Sequence, residues 1–192
     1  MIPKVELPEG KLNNVEIRKL VKEANFMDSI ELFKTGRYVP PGEYTSLYIN
    51  DNLWMSDTPD EASDHYEAYR KARGECLVAG LGIGLIINAI LLKPEVAKVT
   101  VIENNPDVIE LVGNVYKERF GDRIEIIEAD IFTWKPPKDK IYDMVWFDIW
   151  EHLCVDNLQE MATLHRKYGR KAKWKGSWGK EILQYEKRRY QY

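Results

Sequence analysis

Residues Cys76 to Leu85, CLVAGLGIGL, join an apolar run to three glycines, Gly80, Gly82 and Gly84, and a second apolar stretch follows at once. A short, continuously apolar run bounded by glycine is the pattern of a strand buried on both faces, as in parallel sheets. The stretch from Leu85 to Leu92 then predicts a packed helix, with the glycines in the turn between the two. A residue without Cβ lets the backbone approach a ligand closely, and the NH groups at a helix start offer donors to polar or anionic groups. The unit predicts a cofactor loop at Gly80, Leu81, Gly82 and Gly84; a purely structural strand-to-helix turn is the competing account.

The spacing narrows the cofactor. A dinucleotide fingerprint is G-x-G-x-x-G, and position 85 is Leu, so NAD is disfavoured. The G-x-G-x-G spacing resembles the first motif of class I methyltransferases, which implies S-adenosylmethionine as the cofactor. The next strand, Val99-Thr100-Val101-Ile102, ends at Glu103, with Asn104 beside it. An acid there can accept hydrogen bonds from both ribose hydroxyls. Asn105-Pro106-Asp107 then starts a helix, with Asn105 as N-cap and Pro106 in the first turn.

A third strand, Ile124 to Ile127, runs to Asp130 and Ile131, and a fourth, Tyr142 to Phe147, delivers Asp148. In an open parallel α/β sheet ligands bind outside the carboxyl ends of the strands. Gly80, Glu103, Asp130 and Asp148 are therefore expected around one crevice, with Asp130 accepting from an adenine amino group and Ile131 against the ring. Each acid taken alone also fits a solvated strand end.

In order and spacing, residues 45 to 151 resemble the spermidine synthase branch of the class I methyltransferase superfamily. Leu47 to Met55 reads as a hairpin around an Asn/Asp turn, and family members carry such a hairpin before the nucleotide domain. Thr58-Pro59-Asp60-Glu61 reads as a capping box. It matches the family's Asp-Glu segment, and His65 falls where a histidine often follows, which implies a substrate contact. Spermidine synthases place an Asp after the fourth strand and a second Asp three residues on; here the pair reads Asp148 and Glu151, and the resemblance implies a catalytic role for both. The family's Ser-Ser and Pro residues are missing at this place, and Ile83 stands where its glycine loop carries an acid. That departure favours methyl over aminopropyl transfer.

Asp148 and Trp150 also echo the [DNS]-P-P-[FYW] tetrad of nucleobase amino-methyltransferases, without its prolines. Trp150 can stack on an acceptor ring or pack beneath the loop. Glu151-His152 offers two ligand types for a metal, but the chain has three His in all and no second His at ligand spacing, so no metal is expected.

Composition fits a single globular unit, 44% hydrophobic and 31% charged over 192 residues. Cys76 and Cys154 do not form a disulfide framework. The first residues lack an apolar signal core and no run approaches a membrane span, so a cytoplasmic protein is expected. Charge is lopsided: Arg166 to Tyr192 holds ten Lys or Arg against two acids. Interleaved with Trp and Tyr, this stretch can bind nucleic acid or cover the acidic body, with Ile182, Leu183 and Tyr185 docking as a stripe.

The expected architecture is a Rossmann-like α/β sheet with helices on both faces, truncated after strand four. Asp156 is expected to cap the following helix with Gln159, and Lys171 to Trp178 is too charged and glycine-broken to form a strand. The near-edge fourth strand would need cover from a helix, the amino terminus or a second subunit, the last making a homodimer. Three segments follow: an extension over 1–57 with a helix at Val15 to Phe26 and the hairpin, a cofactor-binding domain over 58–168, and a basic aromatic tail over 169–192. The sequence predicts an S-adenosylmethionine-dependent methyltransferase. Its acceptor, a small amine or a nucleic acid, is open. Aminopropyl transfer from decarboxylated S-adenosylmethionine and a non-catalytic nucleic-acid-binding module are the alternatives.

Overall fold

The computed structural model describes residues 2–24 and 38–189. It begins with an antiparallel sheet of four strands in sequence order, β1 (Gly10–Leu12), β2 (Val15–Lys22), β3 (Gly42–Ile49) and β4 (Asn52–Ser56). The expected hairpin is β3–β4. Its turn residues Asn50 and Asp51 both have positive φ, the backbone that a two-residue turn of matching twist requires. The helix expected from Val15 is instead β2, paired along its whole length with β3 from Val15 opposite Ile49 to Lys22 opposite Gly42. Apolar residues at 17, 20 and 21 mimic helical spacing. What decides the outcome is alternation: Val15 and Ile17 are buried, while Arg18 lies over the Tyr48 ring, 3.5 Å from its centroid. The end of that predicted helix, Phe26, lies outside the described residues.

Helices α1 (Pro59–Asp64) and α2 (Tyr66–Lys71) lead into the parallel sheet. Its strands are β5 (Gly74–Ala79), β6 (Val96–Glu103), β7 (Ile124–Glu128), β8 (Tyr142–Phe147) and β9 (Ala172–Ser177). They lie in the order β7-β6-β5-β8-β9, all neighbours parallel. The connecting helices are α3 (Leu85–Leu91), α4 in three pieces (Pro106–Val108, a π-helical turn Ile109–Gly113 and Asn114–Phe120) and α5 (Asn157–Lys167); α6 (Lys180–Arg189) follows β9. Asn105 caps α4 as expected, its side chain accepting from Asp107 N and Val108 N.

The sheet is sandwiched, and the two faces can be read from alternate residues. Cys76, Val78, Val99, Val101, Met144 and Trp146 meet α3, α4 and the antiparallel sheet. Leu77, Ala79, Ile102, Val145 and Phe147 face the other way, onto Leu164 and Tyr168 around α5. Each fully buried Leu, Ile or Val contributes about 1.5–3 kcal/mol of transfer free energy, so these two layers fix the strand ends in space.

The fifth strand corrects the expected truncation. Lys171 to Trp178 does form a strand, because an edge strand needs apolar groups on alternate residues only, and outward lysines protect its free edge. Trp174 stacks on Trp146, with ring centroids 6.2 Å apart. A Cβ on Gly176 would collide with both rings. Lys173 pairs with Asp143 at 2.6 Å. β8 therefore lies between β5 and β9, and the edge argument for a homodimer no longer applies to it. Asp156 occupies the N-cap position of α5 without a side-chain capping bond; instead Asn157 Oδ1 accepts from Cys154 N at 2.7 Å.

Much of the basic carboxyl-terminal segment is tied to the body. Lys167 donates to the carbonyls of Ile131 and Phe132, and Lys171 to that of Pro137. Of the predicted stripe on α6 only Leu183 is buried; Ile182 and Tyr185 are exposed. Tyr190 and Tyr192 lie outside the described residues. No helix among the described residues is long and apolar enough to cross a membrane.

Candidate functional site

The carboxyl ends of all five parallel strands open on one cavity of about 320 Å³: Gly80 follows β5, Glu103 ends β6, Asp130 follows β7, Asp148 follows β8 and Trp178 follows β9. This is where strand order reverses about β5, the place where open α/β sheets bind ligands. The hairpin and α1 roof it with Trp54, Met55, Glu61 and His65.

Glu103 is the best-anchored group. It is buried, yet both of its oxygens are satisfied, Oε2 by Leu81 N at 2.7 Å and Oε1 by Asn105 N at 2.8 Å. A carboxylate offers about four lone-pair directions, so each oxygen keeps one for a ligand. Asp130 is locked in an Asx turn, with Oδ1 accepting from Phe132 N at 2.8 Å; Ile131 is buried beside it.

Asp148 is set by β8, its backbone N donating to Ala79 O at 2.8 Å. Its Oδ2 lies 3.6 Å from His65 Nε2. Burial pushes the Asp148 carboxyl above its ordinary range; the nearby His65 pulls it back and Asp64 adds to the rise. His65 is buried, edge-on to Trp146. Trp150 lines the cavity and donates from Nε1 to Glu160 Oε2 at 2.7 Å.

Every glycine of the loop has a protein reason. All three have positive φ, and a Cβ would overlap the Asp148 carbonyl at Gly80, the Met55 sulfur at Gly82 and the Tyr116 ring at Gly84. Tyr116 OH in turn donates to Ile83 O at 2.8 Å. Met55 reaches the loop because β3 pairs Leu47 with Met55 but Tyr48 with Leu53, which leaves Trp54 as the extra residue of a bulge. Bulges re-aim side chains, and here Trp54 and Met55 both line the cavity. Met55 Sδ accepts from Ile83 N at 3.2 Å.

Of the sequence-predicted residues, Gly80, Gly82, Glu103, Asn104, Asp130, Ile131, Asp148, Trp150 and His65 line the cavity. Leu81 contributes its NH to Glu103, while Gly84 packs on Tyr116 outside the lining. Glu151 is not among the lining residues; its carboxylate lies 3.4 Å from the ring of the exposed His152. The second acid near Asp148 comes instead from α1. Glu61 accepts from Ser56 N at 2.7 Å and from Ser56 Oγ at 2.6 Å, so the capping box reaches past Thr58 to the end of β4. Burial raises its carboxyl pKa; the two Ser56 bonds lower it, and Asp148 and Asp64 raise it further. Met55, Trp178 and Glu160 also went unread. Only the Thr58/Glu61 capping-box spacing left a trace of this in the sequence.

The lining thus holds Glu61, Glu103, Asp130, Asp148 and Glu160, with no Lys or Arg among the described residues. Such a site favours a cationic ligand and rejects a pyrophosphate.

No family model matches the chain, and no curated protein matches it. Solved structures do resemble parts of it. The DhpI-SAM-HEP complex is 22% identical with a TM-score of 0.43, over 58% of this chain and 48% of that one. The N-methyltransferase NodS from Bradyrhizobium japonicum WM9 is 17% identical with a TM-score of 0.45, over 58% and 62%. Coclaurine N-methyltransferase bound to N-methylheliamine and SAH is 20% identical with a TM-score of 0.45, over 59% and 32%. The chain thus spans from about a third to just under two thirds of the length of these proteins.

Proposed function

We propose that the chain binds S-adenosylmethionine in this cavity and transfers its methyl group to an acceptor. The observation that carries the reading is Glu103, a buried carboxylate pinned by two backbone amides at the head of an acid-lined, strand-end cavity. Its remaining lone pairs suit a pair of vicinal hydroxyls. Asp130 and Ile131 supply an acceptor and an apolar wall for a purine. When bound, the cofactor would supply an electrophilic methyl group on a sulfonium, a cation that the surrounding carboxylates stabilise.

The chain's own work is to position the acceptor and to take its proton. Asp148 is the base: burial raises its proton affinity, and His65 at 3.6 Å steadies the ionised form. Glu61, rather than Glu151, is the neighbouring acid.

A second reading is aminopropyl transfer. It is favoured by the lack of a Lys or Arg in the lining among the described residues, which leaves the amino-acid carboxylate of an ordinary methyl donor without a permanently charged partner. Ile83 opposes it, since no acid stands in the loop.

Calorimetric titration with S-adenosylmethionine, S-adenosylhomocysteine, decarboxylated S-adenosylmethionine and NAD, repeated with Glu103→Ala, tests both. Binding of the first two, weakened about tenfold or more in the variant, is expected. Preference for the decarboxylated form supports the second reading, and binding of none of the three sulfur ligands overturns both.

A further inference from the structure

A second hollow, about 360 Å³, lies on the antiparallel sheet beside the cofactor cavity. Leu20, Val21, Val39 and Leu53 give it an apolar wall, Asp60 and Glu61 an acidic end, and Lys22 also lines it. Glu61 borders both cavities. The bulge in β4 makes this possible, turning Leu53 and Ser56 to the hollow and Trp54 and Met55 to the cofactor side.

Both hydrogen bonds to the Glu61 carboxylate come from Ser56, a neutral residue. Asp148 faces the same space from the cofactor side. Asp148 has the His65 ring 3.6 Å away, but the bonds that Glu61 accepts come from a neutral residue, and a largely buried carboxylate held that way is costly to keep ionised. The hollow beyond them is apolar and open, with Val21 66% and Leu53 46% exposed.

We infer that the hollow holds the body of the acceptor, and that the acceptor is an apolar amine whose ammonium sits by Glu61 while its hydrocarbon covers Val21 and Leu53. This deepens the methyl-transfer reading and rests on it. A neutral acceptor would bring no opposite charge to Glu61, whose bonded partner is the neutral Ser56. A nucleic acid would bring phosphates toward five carboxylates. A purely polar diamine would leave the apolar wall wet.

The test is calorimetric titration of the full chain with 2-phenylethylamine, 2-phenylethanol and putrescine, each with and without S-adenosylhomocysteine. The phenylethylamine is expected to bind about tenfold or more tightly than either of the others. Leu53→Lys, at a half-exposed position, is expected to cost about tenfold in amine affinity and to leave S-adenosylhomocysteine binding unchanged. Glu61→Gln should abolish the preference for amine over alcohol. Equal binding of amine and alcohol, tighter binding of putrescine, an unaffected Leu53→Lys variant, or no amine binding in either state overturns the inference. If S-adenosylhomocysteine itself fails to bind, the cofactor reading falls, while the titrations of the free chain still decide the hollow.

Discussion

Gly82→Ala separates the two things that a glycine can be for. The residue sits at φ +49°, and a Cβ there overlaps the sulfur of Met55. Left-handed backbone costs a residue with a Cβ about 1–2 kcal/mol. The second cost is displacement of Met55, which loses its hydrogen bond from Ile83 N and its seat in the cavity roof, together about 1 kcal/mol. Alanine at 82 should therefore destabilise by about 2–3 kcal/mol, and by only the backbone share, about 1–2 kcal/mol, when Met55 is already Ala. Urea unfolding of the wild type, both single variants and the double variant measures this coupling directly. Equal destabilisation by Gly82→Ala in both backgrounds would refute the Met55 account of the glycine. A cost near zero would refute the backbone account as well.

Asp148→Asn should lower methyl transfer by about 100-fold or more, the usual share of a positioned base, while raising stability. The native carboxyl titrates above its ordinary 3.8. The folded state thus holds the proton longer than the unfolded one, and wild-type stability falls as pH rises from 3.8 through the native pKa; urea midpoints against pH should show a smaller fall in the variant, where the raised Glu61 carboxyl still contributes with the same sign. His165 has the opposite sign. Burial first, then Lys180 and Lys175, push it down to about 4 from 6.5. Lys180 Nζ sits 3.2 Å from its Nδ1, which assigns Nε2–H to Ser177 Oγ at 2.8 Å. The unfolded chain takes up the proton first, so this contribution is present above pH 6.5 and is lost as pH falls toward 4. It is about 1 kcal/mol after solvent screening, and a shallower acid slope in His165→Gln checks it. Leu183→Ala should cost about 2–4 kcal/mol as the buried anchor of α6, read from thermal melting; no change would mean that the helix is not docked.

The central strands β5, β6 and β8 were legible because a strand buried on both faces carries a near-continuous apolar run, and the edge strand β7 because Ile124, Ile126 and Ile127 are β-branched; each ran out at an acid or a glycine. The ligand end of the sheet followed from those ends. β9 was not legible, since Trp174 finds its partner, Trp146, only across the sheet and the lysines on either side mask it. β2 was misread because residues 17, 20 and 21 satisfy a helical template, and only pairing with β3 reveals the strand. The glycine triplet was legible as a turn but not in its cause: Met55, Asp148 and Tyr116 meet it from three distant segments. Glu61 looked fully employed as a cap, and nothing local says that its carboxylate reaches back to Ser56.

With the glycines explained by packing, the weight of a functional reading shifts to the acids. A carboxylate at a strand end is ordinarily solvated and tells nothing. Glu103 is buried here, and burial raises the carboxyl pKa of both Asp148 and Glu61, so the fold holds these groups where their charge is costly. Hydrogen bonds from Leu81, Asn105 and Ser56 offset part of that cost, but none of these donors carries a charge. A chain selected for stability alone would gain by replacing Asp148 with a neutral residue. Keeping several acids around one cavity that no Lys or Arg lines among the described residues is physically reasonable if the balancing positive charge arrives with the ligand. On the proposed reading, a sulfonium at the strand ends and an ammonium beside Glu61 would be the two cations that these acids await.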